Sequence, residues 1–187
     1  FIWVHPILLL LPPLLVRSVI LETLLRLKMT ELGTVWLFGD DIDTDILAPG
    51  KFMSSDMSIL SSHCLEAVDA SFAKNVQSGD ILVAGKNFGV GSSREQAAQA
   101  LKYLGIKAVI AKSFAGIFYR NAINLGLPVL VGEACEVVQS GNRAKLEVST
   151  GIFELVDEKK TINCEPLPKF LLNLIDSGGL VPHLEKR

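Results

Sequence analysis

The sequence predicts an α/β fold in which a mixed sheet with flanking helices is followed by a C-terminal β-meander. Short apolar runs at 81–84 and 107–112 alternate with segments of helical periodicity, which is the pattern of βαβ units. Residues 145–163 contain three short alternating runs separated by turn residues, which is typical of antiparallel strands joined by hairpins. The length of 187 residues and the 49% apolar content suit one domain with a substantial core.

The remaining elements follow from the same periodicities. The aliphatic and aromatic run at 35–38 predicts the first strand, and the cluster of aspartates at 39–50 predicts a loop after it. A helix is expected where apolar residues recur at three- and four-residue spacing, and it ends where glycine follows. The predicted strands are 35–38, 81–84, 107–112, 127–131, 145–149, 152–156 and 160–163, and the predicted helices are 59–74, one that ends before Gly105, 113–124 and 166–176.

The charge and the cysteine content exclude several classes of function. The net charge is -2, and no basic patch of the kind that binds nucleic acid is present. Cys64, Cys135 and Cys164 are far apart and form no C-x-x-C pair, which argues against a disulfide scaffold and against an iron–sulfur or metal site within this chain. We therefore expect no metal ligands here and a reducing, cytoplasmic location.

Residues 1–28 differ in composition from the rest of the chain. The first 16 residues contain no Asp, Glu, Lys or Arg, which favours a membrane anchor or a targeting segment. Three prolines within residues 6–13 and the charge of Arg17 oppose both, because they break a helix and shorten the apolar run. We expect 1–28 to be a non-native extension from an upstream or mispredicted start and 29–187 to be the folded domain, with no membrane partner. An anchor and a targeting segment are the alternatives.

The sequence G-K-N-F-G-V-G-S-S-R-E-Q-A-A, which begins at Gly85, joins a predicted strand to a predicted helix. Ser92 has a glutamate three residues later, the spacing of a capping box, and Gly89 and Gly91 allow positive φ or a close approach of another group. Free amide hydrogens, a helix N-terminus and the guanidinium of Arg94 would then converge on one point, which suits an anion. Plain helix capping is the alternative. The dinucleotide-binding pattern G-x-G-x-x-G is not met, because Arg94 stands where its third glycine belongs.

The loop at 39–50 carries four aspartates. They do not form a calcium-binding EF-hand, since Ile46 stands where that motif requires glycine. Taken by itself, Asp45 is an aspartate that bonds the backbone of its own turn.

Three motifs along the chain together resemble the swivel domain of the aconitase superfamily. They are G-V-G-S-S-R-E at 89–95, S-F-A-G-I-F-Y-R-N-A-I-N-L-G-L-P at 113–128 and G-D-D-I-D-T-D-I-L-A-P-G at 39–50. Their order and spacing are those of the family, and the similarity covers nearly everything from about Thr34 onward. The chain most resembles the free-standing small subunits of the isopropylmalate isomerase and homoaconitase type. The resemblance implies a single swivelling β/β/α domain of aconitase type.

The resemblance also implies an activity and a partner. Such a subunit belongs to a hydro-lyase that isomerises 2-isopropylmalate and 3-isopropylmalate by removing and re-adding water, a step of leucine and hence of branched-chain amino acid biosynthesis. The Lewis acid, a [4Fe–4S] cluster, is expected on a separate large subunit, with which this chain would form a heterodimer or heterotetramer. Homoaconitase, 2,3-dimethylmalate dehydratase and a non-catalytic anion-binding module of the same fold are the alternatives.

Most of the expected site residues match positions of the family's motifs. Ser92 is expected to be the catalytic base, acting as an alkoxide, and Ser93 and Arg94 are expected to bind substrate carboxylates. Asp45 is expected to support the site, and Arg120 is expected to lie at its rim, where a surface ion pair is the alternative. The residues expected to shape the turn are Asn87, Gly89 and Gly91.

The loop after Pro49-Gly50 is where the relatives differ and where the distal substituent of the substrate is expected to be read. Homoaconitase-like members tend to carry arginine here, whereas this chain has Lys51, Phe52 and Met53. We therefore expect Lys51 and Met53 to contact the substrate, in a pocket that accepts an alkyl group.

Four positions depart from the family pattern: cysteine is usual at Val90, histidine at Gln96, proline near Ala98 and arginine at Gly116. None of them replaces the expected base or the expected carboxylate ligands. We therefore expect the reaction to be retained and the surroundings of the catalytic residues to differ from those in the family. The departures also favour a divergent substrate, such as another alkyl-substituted malate.

Overall fold

A computed structural model of the protein describes residues 32–186. The strands are β1 (Leu32–Leu37), β2 (Ile81–Ala84), β3 (Ala108–Ala111), β4 (Val129–Val131), β5 (Arg143–Glu147), β6 (Ile152–Leu155) and β7 (Lys160–Asn163). The helices are α1 (Thr44–Leu47), α2 (Met57–Ser62), α3 (Phe72–Asn75), α4 (Gln96–Tyr103), α5 (Gly116–Asn124), α6 (Lys169–Asp176) and α7 (Leu180–Glu185), with 3-10 turns at Gly50–Phe52 and Ala134–Glu136.

The seven strands found within residues 32–186 form one sheet in the order β4-β3-β2-β1-β5-β6-β7. Strands β1 to β4 pair in parallel, and β5 to β7 pair antiparallel. Strand β1 joins the two halves, because Val35 pairs with Ile81 on one side and Leu32 pairs antiparallel with Lys145 on the other. The predicted mixed sheet with flanking helices and a C-terminal β-meander is therefore confirmed.

Burial explains why the two halves of the sheet have different sequence patterns. Strands β2 and β3 read I-L-V-A and A-V-I-A and are buried at every position, as expected for parallel strands that are covered on both faces. In the meander, Ala144, Leu146, Phe153 and Leu155 are buried, whereas the residues between them are partly or fully exposed. One face of the meander therefore packs on the core and the other faces solvent.

The loops that follow β1 and β2 lie side by side, because parallel strands end at the same edge of a sheet. The Gly85 N–H donates to the carbonyl of Gly39 at 3.1 Å, and the Asp41 N–H donates to the carbonyl of Lys86 at 2.8 Å. The loop after β3 joins them, since the Lys112 N–H donates to the carbonyl of Gly85 at 3.0 Å. Three motifs that are distant in sequence thus meet at one edge of the sheet.

A buried carboxylate, that of Asp80, ties the starts of β1 and β2 together at the opposite edge. Asp80 is 5% exposed and accepts hydrogen bonds from the backbone N–H of Thr34, the backbone N–H of Gln77 and the indole N–H of Trp36, each at 2.9 Å. These bonds satisfy three donors that would otherwise lie beside the core.

The predicted helix at 59–74 is wrong. The segment forms two short helices, α2 and α3, with turns between them. The buried Leu65 lies between the two helices with φ of 61°, and its N–H donates to the carbonyl of Ile46 at 2.9 Å. A non-glycine residue in the left-handed region cannot continue a right-handed helix, so this tertiary contact overrides the helical periodicity.

The sequence does not predict two further elements, α1 and α7. Helix α1 forms inside the aspartate-rich loop, because the Asp43 carboxylate accepts the Ile46 N–H at 2.8 Å and caps it. Helix α7 follows Gly179, whose φ of 121° turns the chain so that it becomes helical again. The expected extension at 1–28 lies outside the described residues, and the division at residue 29 stays a prediction.

Candidate active site

The turn after β2 is fastened along its length to the loop after β1. The Asn87 side-chain amide donates to the Asp41 carboxylate at 2.8 Å, and both residues have φ of 57°. The Gly89 N–H donates to the carbonyl of Ile42 at 2.7 Å. Asn87 thus joins the two loops through its side chain.

Gly89 and Gly91 are required by both conformation and space. Gly89 has φ of 78°, and a Cβ there would lie 2.2 Å from Cγ of the buried Phe118. Gly91 has φ of 114°, and a Cβ there would lie 2.9 Å from Oγ1 of Thr44. Any larger residue at either position would displace the turn that carries the next three residues.

Ser92 does not form the predicted capping box. Helix α4 begins at Gln96 with Glu95 as its N-cap, which makes no side-chain capping bond. The Ser92 N–H instead donates to Oγ1 of Thr44 at 2.9 Å, and the two hydroxyl oxygens lie 3.1 Å apart. Because the chain is still non-helical from 92 to 95, the Ser92 oxygen has no helical amide above it to cap.

Arg94 and Asp45 form an ion pair across the two loops. Nη1 of Arg94 donates to the Asp45 carboxylate and lies 3.4 Å from the carbonyl oxygen of Ala48. The Arg94 side chain is 28% exposed, so the guanidinium is bound through Nη1 and still partly accessible to solvent.

Ser93 is exposed, and helix α5 holds its backbone from behind. The Asn121 side-chain amide donates to the carbonyl of Ser93 at 3.3 Å. Within residues 32–186 the backbone N–H groups of 93–95 have no acceptor, so they are free to bind an anion. Arg120, next to Asn121, is exposed and makes no ion pair within the same described range, so the alternative of a surface ion pair is not observed there.

Lys51 and Phe52 belong to a stack of side chains beside this turn. The Lys51 Nζ lies 4.6 Å from the centroid of the Phe52 ring, which in turn stacks on His63 with 3.7 Å between centroids. His63 bonds Glu66, and this hydrogen bond is the largest of the effects that lower the pKa of the Glu66 carboxyl.

A cleft of about 470 Å³ opens next to this stack. Its lining residues are Asp43, Asp45, Ile46, Pro49, Lys51, Glu66 and Ala67. Lys51 therefore faces the cleft, and its role as a substrate contact stays a prediction. Met53 is half-buried against the core and is not one of the lining residues.

The positions that depart from the family pattern surround the turn. Val90 is 38% exposed, and Gln96 is the first residue of α4. Gly116 is exposed at the start of α5, where an added Cβ meets nothing within 4 Å. An alanine at 116 would therefore fit without rearrangement.

Within the described residues, no three His, Cys, Asp or Glu side chains are arranged to hold a metal ion. Cys64 and Cys164 are buried free thiols, and burial raises the pKa of Cys164 to about 11. Burial also raises the pKa of the half-buried Cys135. The three cysteines therefore do not fit the ligand set of an iron–sulfur cluster.

The structure, over residues 32–186, has no helix that combines the length and the apolar content of a membrane span.

Sequence reasoning missed Thr44 and Asn121, which contact Ser92 and Ser93. Both lie inside the recognised motifs, Thr44 in D-T-D and Asn121 in R-N-A. In each motif the site role was instead assigned to the charged neighbour, Asp45 or Arg120. Thr44 is 1% exposed and is one of few buried polar residues in the described part of the chain. The sequence feature that could have indicated Thr44 is an uncharged hydroxyl within the aspartate-rich motif at 39–50.

Comparisons with known proteins show the family to which the chain belongs. Residues 44–133 match the model of the aconitase C-terminal domain. The 3-isopropylmalate dehydratase small subunit of Clostridium beijerinckii is 44% identical over 161 residues, which cover 85% of this chain and 100% of that protein. The methanogen homoaconitase small subunit of Methanocaldococcus jannaschii is 46% identical over 156 residues, which cover 83% of this chain and 91% of that protein.

A solved structure extends the similarity to the fold. The crystal structure of 3-isopropylmalate dehydratase from Methanocaldococcus jannaschii superimposes with a TM-score of 0.79 at 45% identity, over 84% of this chain and 94% of that one. The expected aconitase-type domain is thereby confirmed. The chain belongs to the aconitase-superfamily family of 3-isopropylmalate dehydratase and homoaconitase small subunits.

Proposed function

We propose that the chain is the small subunit of a hydro-lyase that isomerises 2-isopropylmalate and 3-isopropylmalate by dehydration and rehydration. The observation that carries the proposal is the grouping of Ser92, Ser93 and Arg94 on one turn, at the edge of the sheet where β1 and β2 end. Relatives at 44% and 45% identity that are named 3-isopropylmalate dehydratase small subunits support the substrate class.

The proposed reaction needs a base for a carbon-bound proton, donors for the substrate carboxylates and a Lewis acid for the departing hydroxide. We assign the base to Ser92 Oγ. As an alkoxide it takes the proton from carbon, the C–H electron pair forms the C=C bond, and hydroxide leaves with the electrons of its C–O bond. In the reverse addition hydroxide bonds to the other carbon of the double bond, and Ser92 returns its proton to the carbon that had carried the hydroxyl, which regenerates the alkoxide. Arg94, the Ser93 hydroxyl and the open N–H groups of 93–95 hold the carboxylates.

Asp45 is assigned a supporting role through Arg94. The carboxylate and the Ala48 carbonyl both engage Nη1, whereas Nη2 and Nε donate to no acceptor in the part of the chain that the structure describes. Those hydrogens stay available for a bidentate carboxylate. Ordering a long side chain in advance also removes part of the entropy cost of binding.

We further propose that a separate large subunit carries a [4Fe–4S] cluster, which supplies the Lewis acid when it is bound there. Two observations support this partner: the relatives are named small subunits, and the described residues of this chain do not themselves fit a cluster. The active assembly is then a heterodimer or a heterotetramer. The free thiols suit the cytoplasm, whose reducing conditions would keep them reduced.

A second candidate substrate is homoaconitate, because a relative at 46% identity is named a methanogen homoaconitase small subunit. We prefer an alkyl-substituted malate, because the loop at 51–55 contains only one cation, Lys51. Its amine lies over the Phe52 ring, where the cation–π contact opposes its transfer to a further carboxylate. The same reasoning admits 2,3-dimethylmalate.

The proposal is tested by mixing the chain anaerobically with a cluster-loaded large subunit from the same organism and measuring dehydration of 3-isopropylmalate, homocitrate and 2,3-dimethylmalate. We expect activity only in the mixture, with isopropylmalate preferred. The variant Ser92→Ala should lower kcat by about 10³-fold, within the range for loss of a general base. Its free energy of unfolding should fall by about 1–3 kcal/mol, because the buried Thr44 hydroxyl loses the Ser92 oxygen as its partner.

The matched control is Ser58→Ala, which removes an exposed serine hydroxyl from helix α2. It should leave kcat unchanged. Near-normal turnover of Ser92→Ala would overturn the assignment of the base, and preference for homocitrate would overturn that of the substrate. A formed, cluster-loaded complex that is silent on every acid would support the non-catalytic alternative.

A further inference from the structure

We infer that Thr44 is the positioning residue for Ser92, holding its backbone and supporting charge on its hydroxyl oxygen. The inference rests on the proposed function, since it concerns the residue to which we assign the base. It adds to that proposal a residue that never contacts the substrate.

The position of Thr44 is fixed from several sides. It is the first residue of α1, is 1% exposed, and its own N–H donates to the carbonyl of Val90 at 2.8 Å. Its hydroxyl oxygen packs against Gly91, where a Cβ would approach it to 2.9 Å. A β-branched side chain in such a site has little rotational freedom, so the hydroxyl is held in one place.

The hydroxyl makes two contacts with the same residue. Oγ1 of Thr44 accepts the Ser92 N–H at 2.9 Å and lies 3.1 Å from Ser92 Oγ. The first contact fixes where the backbone of Ser92 runs. The second fixes where its side-chain oxygen points.

Burial decides which hydroxyl donates in the second contact. The Thr44 hydroxyl is buried, and within residues 32–186 Ser92 Oγ is the acceptor within its reach. A buried donor without an acceptor is unfavourable, whereas the exposed Ser92 can turn its own proton toward solvent or substrate. Thr44 therefore donates and Ser92 Oγ accepts.

This direction favours the ionised form of Ser92. When Ser92 has lost its proton, the bond from Thr44 becomes charge-assisted and strengthens. When Ser92 has taken a proton from the substrate carbon, the Thr44 hydroxyl still donates to another lone pair of the same oxygen. Thr44 keeps its own proton throughout and acts only through Ser92.

The test compares Thr44→Val, which preserves the shape and removes the hydroxyl, with Thr44→Ser, which keeps the hydroxyl, in the complex with the large subunit. We expect Thr44→Val to lower kcat by about 10²-fold, as for loss of one donor to a developing oxyanion, with a smaller change in KM. The rise of kcat with pH should move to higher pH, because the alkoxide has lost its donor. Thr44→Ser should restore both the rate and the pH profile. Thr161→Val, an exposed threonine on β7, is the matched control and should change neither.

Thermal melting shows whether each variant is folded, and Thr44→Ala carries the same prediction if the valine variant does not fold. A wild-type kcat and pH profile in a folded variant that lacks the hydroxyl would overturn the inference. So would a loss of rate that Thr44→Ser does not restore, because the role would then be packing alone. These results leave the proposed function intact as long as Ser92→Ala is inactive. An active Ser92→Ala would instead remove the proposed base, and the inference with it.

Discussion

The substitution Gly89→Ala tests whether the turn after β2 has the conformation described above. Gly89 has φ of 78°, and the added Cβ would lie 2.2 Å, 2.4 Å and 2.7 Å from three atoms of the Phe118 side chain. Carbon atoms in contact lie about 3.5–4.0 Å apart, so all three distances are severe overlaps. Phe118 cannot easily move, since it is 2% exposed and packs edge-on against the Phe88 ring at 5.1 Å.

Two costs add in this variant. A residue with a Cβ in the left-handed region costs about 1–2 kcal/mol, and overpacking a core costs about 1–3 kcal/mol. We therefore expect the free energy of unfolding to fall by about 2–5 kcal/mol, which corresponds to a lower urea midpoint by about 1 M or more. Because Ser92 lies three residues further on, kcat/KM with the large subunit should fall as well, by about 100-fold for a displacement of about 1 Å.

The matched control is Gly116→Ala, in the same helix as Phe118. At Gly116, the first residue of α5, an added Cβ meets nothing within 4 Å. Alanine there should stabilise the protein by up to about 1 kcal/mol, because it lowers the entropy of the unfolded chain. If Gly89→Ala unfolded within 0.5 kcal/mol of the wild type, as judged by urea titration followed by far-UV circular dichroism, the described contact between the turn and Phe118 would be wrong.

Two predictions concern stability away from the site. Asp80→Ala leaves three donors without their acceptor and should lower the free energy of unfolding by about 3–5 kcal/mol. Asp80→Asn keeps one oxygen acceptor, so its free energy of unfolding should fall by less. Equal losses for the two variants in urea titrations would contradict this role of Asp80. Burial raises the pKa of Cys164 from its ordinary 9.0 to about 11, so the unfolded state releases this proton first and stability should decline as pH rises from about 9 to 11. Cys164→Ala should flatten that decline, and an unchanged slope would show that Cys164 does not cause it.

The sheet was predictable because burial leaves a direct trace in composition. Strands β2 and β3 are continuous apolar runs, and the meander alternates, so both halves could be assigned from periodicity. Periodicity could not show that the predicted helix at 59–74 is interrupted. The interruption comes from the hydrogen bond between the Leu65 N–H and the Ile46 carbonyl, and a contact between two distant segments leaves no periodic signal in the sequence.

The site was predictable as far as its motifs reach. Ser92 and Arg94 stand out because a serine pair and an arginine follow a glycine turn. The capping box failed because the Ser92 N–H and hydroxyl are both engaged by Thr44, 48 residues earlier in the chain, before helix α4 begins. Local spacing can show that a serine is able to cap a helix, but it cannot show that a buried threonine competes for it.

Exposure of the site indicates what a partner must add besides a cluster. Ser92 and Ser93 are exposed, and the Asp45 side chain is 66% exposed, so water reaches these three groups in the isolated chain. Donors stabilise a developing charge far better where water is excluded, because water otherwise competes for the same oxygen. The alkoxide proposed at Ser92 would therefore gain little from Thr44 and the open amides in the isolated chain. Once the proposed large subunit covers this edge of the sheet, the same donors act in a drier medium and engage the Ser92 oxygen without competition from water.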